Sequence, residues 1–196
     1  MPPPPPEDVF ISVDVETAGP HPGRYSLLSI GACLVSDPDL SFYVELQPVN
    51  DSATPEALAV TGLSLVELAE RGLPPAEAMA SFEAWVKTLT PHNRRPVFVA
   101  FNAPFDWMFV NDYFHRFLGR NPFGYSALDM KALYMGLTGA RWSETSISNE
   151  EYVFFAQVFL PGLGRSYTDA PYRWWFTRIS PSYVGVNTSV ESPPSH

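Results

Sequence analysis

Hydrophobic residues near the start of the chain recur in short runs of the kind found in buried strands. The run at 9–15 is β-branched and aromatic, and the turn-forming Ala-Gly-Pro at 18–20 ends it. Two more apolar runs, 27–36 and 40–46, are separated by the turn signal Asp-Pro-Asp. Three strands with short connections predict an antiparallel meander.

The pattern changes to helical spacing from residue 54. Thr54 is a capping residue placed before a proline at the first helical position, and a second helix start follows at 74–75. The remaining segments predict a strand, a helix, a short strand and a helix through Met135, over residues 97–101, 103–118, 126–129 and 130–135. This order predicts a mixed α/β sheet with helices packed on its faces.

Both ends of the chain differ in composition from the part between them. Residues 1–7 form a proline-rich tail, which we expect to lie outside the fold. The domain is expected to span 8–160, with a last helix that starts at the capping-box spacing of Ser148 and Glu151. Residues 161–196 are rich in Pro, Ser, Tyr and Trp and show no clear period, so we expect an atypical, irregular segment there.

Composition favours one globular domain in a reducing compartment. The chain has 196 residues, of which 45% are hydrophobic and 14% aromatic, enough for a sizeable core. Its single cysteine, Cys33, has no disulfide partner and no neighbouring cluster of zinc ligands. No stretch approaches the ~20 apolar residues of a membrane span, and no secretion signal is visible, so we expect a cytoplasmic protein without a membrane partner.

The formal net charge of −9 is the opposite of what phosphate-binding proteins usually carry. Taken alone, it argues against a nucleic-acid partner. A site built from carboxylates is an exception if divalent cations lie between protein and phosphate, because the ions are then the largest local charges. The charge therefore weakens tight non-specific binding without excluding catalysis on nucleic acid.

Asp14 and Glu16 lie two residues apart in the first predicted strand, so their side chains project from the same face. Two acids in an apolar strand carry a large desolvation cost unless a cation or a hydrogen-bond donor compensates them. Magnesium and manganese prefer oxygen ligands, so the pair suits a divalent metal site. The alternative is a strand end whose acids face solvent.

A second acid, Asp106, follows the strand at 97–101 by one helical turn. Pro104 suits the first turn of a helix, which places Asp106 where the helix dipole favours an anion and points it back toward the strand ends. The alternative is a strand-to-helix junction in which Asn102 caps the helix and Asp106 only complements the dipole. The pair in the first strand favours the first interpretation.

Four segments carry a resemblance to a known family. VDVETAGP at 13–20 resembles the first motif of the DEDD exonucleases, and FVAFNAPFDWMFV at 98–110 resembles their second. The tripeptide at 128–130 is similar to the family's next strand, and 60–63 to the helix-turn segment after its meander. The similarity covers residues 8–146 in the family's order, and it implies the ribonuclease-H-like fold and removal of nucleotides from the 3′ end of DNA or RNA.

The resemblance also implies a metal site. The family binds two ions, magnesium or manganese, with four acids, three of which transfer by position to this chain: Asp14, expected to touch both ions, Glu16 and Asp106. On the substrate side it implies contacts from Thr17 and Ala18, through the backbone, and from Asn102. Exonucleases of this kind are often homodimers.

The family's third motif, a helix with a His or Tyr base followed by a fourth metal-binding Asp, is not found. None of His21, His92, His115 and His196 has an Asp five residues on. Tyr125 and Asp129 have the spacing of the tyrosine form, but they precede a helix, so we interpret the match as coincidence and Asp129 as a helix cap. Asp129 and Asp169 remain fallback candidates for the fourth ligand.

The missing motif leaves two explanations and two rival functions. The chain is either a divergent or inactive relative, or its C-terminal sequence comes from a shifted reading frame or a truncation, which we favour. Without the base and the fourth acid the nuclease would be severely impaired. The rival is therefore a catalytically silent nucleic-acid-binding or interaction module on the same fold. A glycoside hydrolase needs acids set across a sugar cleft, which Asp14 and Glu16 fit poorly.

Overall fold

The computed structural model describes residues 7–91 and 93–145 of the chain. It contains five strands: β1 (Glu7–Thr17), β2 (Leu27–Leu34), β3 (Asp37–Glu45), β4 (Arg94–Ala100) and β5 (Ala127–Asp129). Its helices are α1 (Pro55–Thr61), α2 (Leu65–Arg71), α3 (Pro75–Leu89), α4 (Ala103–Leu118) and α5 (Met130–Thr138), followed by a short 3₁₀ turn at Trp142–Glu144. The predicted tail at 1–7 ends one residue too late, because Glu7 belongs to β1 and pairs with Arg94. Residues 1–6, the helix expected from Ser148 and the segment 161–196 lie outside the described residues.

The five strands form one mixed sheet in the order β3-β2-β1-β4-β5. The pairs β1–β2 and β2–β3 are antiparallel, whereas β1–β4 and β4–β5 are parallel. This arrangement confirms the predicted meander followed by parallel strands. Because β1, β4 and β5 run in the same direction, their carboxyl ends lie along the same edge of the sheet.

Side chains alternate along β1 between the two faces of the sheet. Val9, Ile11 and Val13 pack into the main core together with the apolar sides of α3 and α4. Phe10 points to the opposite face and joins a smaller cluster around Val99 and Met130, where α5 covers the sheet. The sheet is therefore covered by helices on both faces, as the alternation of strands and helices predicted.

Helix α4 is fixed to the sheet by a buried tyrosine. Tyr113 is fully buried, and its hydroxyl accepts a hydrogen bond from the backbone N–H of Leu27 at 2.9 Å. Removing that hydroxyl would leave a buried N–H without its partner, which costs about 1–3 kcal/mol. The contact sets the position of α4 against β2.

Glu83 of α3 is a buried acid with two cationic partners. Arg120, just past the end of α4, donates two hydrogen bonds of 2.7 Å to its carboxylate, and Lys87 lies 3.0 Å away. The hydrogen bond from Arg120 is the main reason why the pKa of Glu83 falls to about 2. This ion group joins α3 to the loop that follows α4.

Helix α2 was not predicted as a separate element. Ser64 caps it, since its hydroxyl accepts a hydrogen bond from the N–H of Glu67 at 3.4 Å. The Ser64 and Glu67 spacing is a capping-box signal, so the sequence did contain a clue to this short helix. The predicted start of α1 is confirmed, with Thr54 as the cap.

Gly72 ends α2 at a point of close contact with the backbone just after β3. A Cβ atom at this position would stand 2.6 Å from the carbonyl carbon of Leu46, which no side chain tolerates without a shift of the backbone.

Among the described residues, no helix is long and apolar enough to cross a membrane.

Candidate active site

The first part of the site comes from the end of β1, which continues past its parallel neighbour. The last pair between β1 and β4 joins Ser12 to Val99, whereas β1 runs on to Thr17. Beyond Ser12, the side of β1 that faced β4 is open to the start of α4. Asp14 and Glu16 lie in this overhanging stretch.

Asp106 occupies the opening beside the end of β1. It lies in the first turn of α4, as predicted, and its carboxylate accepts a hydrogen bond from the backbone N–H of Val15 at 3.1 Å. The acid therefore supplies a partner to a strand N–H that β4 no longer reaches. Only 5% of Asp106 is exposed.

The surroundings of these acids oppose negative charge. Burial, with the nearby charge of Asp14 as the second cause, raises the pKa of Asp106 well above its ordinary value. Burial and then the charge of Glu16 raise the pKa of Asp14 to about 7. For Asp106, burial and repulsion therefore outweigh the hydrogen bond from Val15.

One open cleft of about 680 Å³ brings most of the predicted site together. The sequence-predicted residues that line it are Asp14, Glu16, Thr17, Asn102 and Asp106. The structure thus brings the three acids into one cleft. Whether these acids can bind a metal ion depends on the orientation of their side chains, which is described below.

Ala18 is the predicted site residue that the structure does not bring to the cleft. It is fully buried, its N–H donates to the carbonyl of Ser26 at 2.9 Å, and its carbonyl accepts from the N–H of Thr54 at 2.8 Å. Both backbone groups are therefore used inside the protein. Thr17 does line the cleft, and its hydroxyl donates to the carbonyl of Gly19 at 2.9 Å, which fixes the turn after β1.

Asn102 does not cap α4 through its side chain, in contrast to the alternative that the sequence left open. Its backbone has the left-handed values φ 61° and ψ 47°, and it makes no side-chain capping hydrogen bond. Its carbonyl instead accepts from the N–H of Phe105 at 3.0 Å. A left-handed non-glycine residue carries a strain of about 1 kcal/mol, and such residues concentrate at functional sites.

In the conformation described for 7–91 and 93–145, no group of three His, Cys, Asp or Glu side chains is arranged to hold a metal ion. The orientation of Asp106 is one reason, because its carboxylate is turned toward the backbone of β1. The donor set nevertheless fits a hard divalent cation, since three carboxylates share one cleft and the pKa values of Asp14 and Asp106 are raised. Rotation of these side chains toward a common point would be required.

Asp129 behaves as the helix cap that the sequence predicted. Its carboxylate accepts from the N–H of Ala132 at 2.9 Å, and it is not among the residues that line the cleft. The fallback assignment of Asp129 as the fourth metal ligand therefore has no support in the structure. Tyr125 is 95% exposed and does not line the cleft either, while Asp169 and His92 lie outside the described residues.

Sequence reasoning missed two charged residues of the cleft, Glu56 and Lys131. Glu56 lies in the first turn of α1, and Lys131 is the second residue of α5. Lys131 follows the carboxyl end of β5, and ligands of α/β sheets bind outside the carboxyl ends of parallel strands. That rule could have drawn attention to Lys131, whereas no local signal points to Glu56.

The fold and the cleft define the class of protein. The mixed sheet with three acids at the carboxyl edge of its parallel strands is the ribonuclease-H-like fold. No protein-family model matches the chain. The chain is 49% identical over 142 residues to the 3′-5′ DNA exonuclease Cap18 of Escherichia coli, a match that covers 72% of this chain and 76% of the relative. The chain belongs to this family of 3′-5′ exonucleases, as its resemblance to the DEDD exonucleases implied.

Solved structures of exonuclease I from Escherichia coli share the fold. The zinc-bound complex with single-stranded DNA matches at a TM-score of 0.55 and 19% identity, covering 69% of this chain and 30% of that chain. The complex with a dA16 oligonucleotide gives the same score and identity and covers 69% and 31%. The chain thus spans about a third of exonuclease I, and at this identity the likeness shows the fold alone.

Proposed function

We propose that this chain removes nucleotides from the 3′ end of single-stranded DNA by metal-dependent hydrolysis. One observation carries the proposal: Asp14, Glu16 and Asp106 line a single cleft at the carboxyl edge of the parallel strands. The name of the 49% identical relative, a DNA exonuclease, supports DNA as the substrate. The single-stranded DNA in the exonuclease I complexes agrees with that choice.

In this proposal Asp14, Glu16 and Asp106 hold two magnesium or manganese ions. When bound, the ions would lower the pKa of the attacking water and neutralise negative charge on the phosphate. The chain's own residues position the substrate. Thr17 and Asn102 line the cleft beside the acids, and the strained backbone of Asn102 sets the direction in which α4 leaves the sheet.

The electrostatics of the cleft support the part of the proposal that places metal ions beside the acids. Their burial, and after it their mutual repulsion, costs folding free energy, as the raised pKa values of Asp14 and Asp106 indicate. A cluster of repelling carboxylates is unfavourable for stability alone, so a cationic partner is the simplest reason for it. The catalytically silent alternative has no observation of its own within 7–91 and 93–145.

The rate at which this chain digests DNA is a separate part of the proposal. No helix among the described residues carries the family's third motif, and residues 146–196 lie outside the described part. We expect slow digestion by this chain, roughly 10²- to 10⁴-fold below a version whose segment 161–196 is replaced by a helix carrying the third motif. Equal rates for the two proteins would mean that residues already present serve as base and fourth ligand.

The test is an exonuclease assay of the full chain with manganese on 5′-labelled single-stranded DNA and RNA. We expect DNA products that shorten stepwise from the 3′ end and that the double variant Asp14→Asn, Asp106→Asn does not form. Asp129→Asn is the matched control, because it makes the same change outside the cleft and asparagine is an equally good helix cap. Digestion that survives the double variant would reject the proposed site.

A further inference from the structure

Lys131 brings a positive charge to a cleft that is otherwise acidic. Among the described residues that line the cleft it is the basic one, opposite four acids: Asp14, Glu16, Glu56 and Asp106. Its position just after β5 places it on the same edge of the sheet as the ends of β1 and β4. It thus stands where an anionic ligand of the cleft would pass.

The ammonium group of Lys131 is held by an aromatic ring. Its Nζ lies 4.1 Å from the centre of the ring of Trp142, the first residue of the 3₁₀ turn. No ion pair among residues 7–91 and 93–145 involves Lys131, whereas Lys87 is paired with Glu83 at 3.0 Å. A cation–π contact fixes the ammonium without neutralising it, and its other N–H donors are left to bind an anion.

We propose that Lys131 contacts a phosphate of the DNA strand in the cleft and that Trp142 is the positioning residue that holds Lys131 for this contact. The inference rests on the proposed function and names a residue that binds its substrate. A chain with a net charge of −9 gains little from general electrostatic attraction to DNA, so a fixed cation inside the cleft has a large share in binding. Trp142 is 56% exposed and is not among the residues that line the cleft, so its part in binding is to hold Lys131.

Binding of a fluorescent oligothymidylate tests the proposal without requiring cleavage. The oligonucleotide carries phosphorothioate linkages at its 3′ end, and calcium replaces manganese, so that anisotropy reports binding alone. We expect Lys131→Met to weaken binding roughly tenfold, because it removes a charge-assisted hydrogen bond. The slope of log affinity against log salt should fall by about 0.7, the value for one phosphate contact on a single strand.

Lys87→Met is the matched control, since it removes the same charge from the other lysine that the structure describes, and Lys87 does not line the cleft. Its salt slope should equal that of the wild type. Lys131→Arg should keep both the affinity and the slope, which also tests the site if the methionine variant folds poorly. A purely structural role for Lys131 would change the melting temperature and leave the slope unchanged.

The role of Trp142 is tested by a double-mutant cycle. Trp142→Phe retains a ring face and should bind like the wild type, whereas Trp142→Leu should weaken binding, and Lys131→Met should then add less than tenfold. Wild-type binding that Lys131→Met does not weaken would overturn this inference and leave the proposed function standing. Failure of the wild-type chain to bind the oligonucleotide at all would overturn both.

Discussion

Glu83 and Asp106 are both buried carboxyl groups, with 6% and 5% exposure, yet their environments have opposite effects. Hydrogen bonds from Arg120 lower the pKa of Glu83 to about 2. Burial and the charge of Asp14 raise the pKa of Asp106. Among residues 7–91 and 93–145, two cations pair with Glu83, whereas no ion pair is formed by Asp106. The first stabilises the packing of α3 and α4, and the second is available to an external ion.

The largest effect expected from this comparison is on activity. Asp106→Asn should lower the nuclease rate by roughly 10²- to 10⁴-fold, as for loss of a positioned catalytic group, without loss of stability. The amide can still accept from the N–H of Val15, and it no longer repels Asp14. Initial rates on 5′-labelled DNA measure the loss of activity, and the urea midpoint measures stability. A large loss of stability would mean that Asp106 is structural, as Glu83 is.

A metal ion should stabilise the fold through the cleft alone. Manganese at about a hundred times its Kd adds about 2.7 kcal/mol to the free energy of unfolding, a shift of several degrees in Tm. Differential scanning fluorimetry should show this shift in the wild type and in Glu83→Gln. The double variant Asp14→Asn, Asp106→Asn should not respond. Equal shifts in all three proteins would place the ions elsewhere.

Glu83→Gln should have the reverse effect of the change at Asp106. We expect a loss of about 1–2 kcal/mol in the free energy of unfolding, because charge-assisted hydrogen bonds are lost while Arg120 and Lys87 can turn to water. The rate per folded molecule should stay the same. Urea unfolding measures the first quantity, and a matching fall in the specific activity of folded protein would contradict the division between the two acids.

Acid should remove the contribution of Glu83 in a defined range of pH. Its folded pKa of about 2 lies below its ordinary value of 4.5, so the stability it contributes is fully present above about pH 5. That stability is lost as the pH falls from 4.5 toward 2. The difference in urea midpoint between wild type and Glu83→Gln should therefore shrink across this range. A difference that stays constant down to pH 3 would show that packing, not charge, is responsible.

Three of the four acids of the cleft, Asp14, Glu16 and Asp106, could be predicted from the sequence because each has a strong local signal, whereas Glu56 has none. Asp14 and Glu16 share a strand face, and Asp106 follows the next parallel strand by one turn, so the topology alone brings them to one edge. Lys131 was missed because its part in the cleft depends on the placement of β5 and on contact with Trp142, which no local pattern reveals.

Backbone conformation limited the prediction at two other positions. The side-chain cap from Asn102, which the sequence left open as an alternative, is absent because that residue has a left-handed backbone, which the sequence Phe-Asn-Ala-Pro does not specify. The backbone of Ala18 is used by Ser26, in the connection from β1 to β2, and by Thr54, which approaches only after the chain returns from β3. Both cases follow from tertiary contacts, which override local preference.

Val15 lies in the stretch of β1 that continues past β4, and its hydrogen bond to Asp106 limits how the length of the connection from β4 to α4 can change. Each residue of an α-helix advances the side chains by about 100°, so the distance along the chain from Ala100 to Asp106 fixes the rotational phase of α4 against the sheet. One residue inserted there would swing the Asp106 carboxylate away from the N–H of Val15, although Asp14, Glu16 and Asp106 would all still be present. The connection from β4 to α4 should therefore tolerate substitutions better than insertions or deletions.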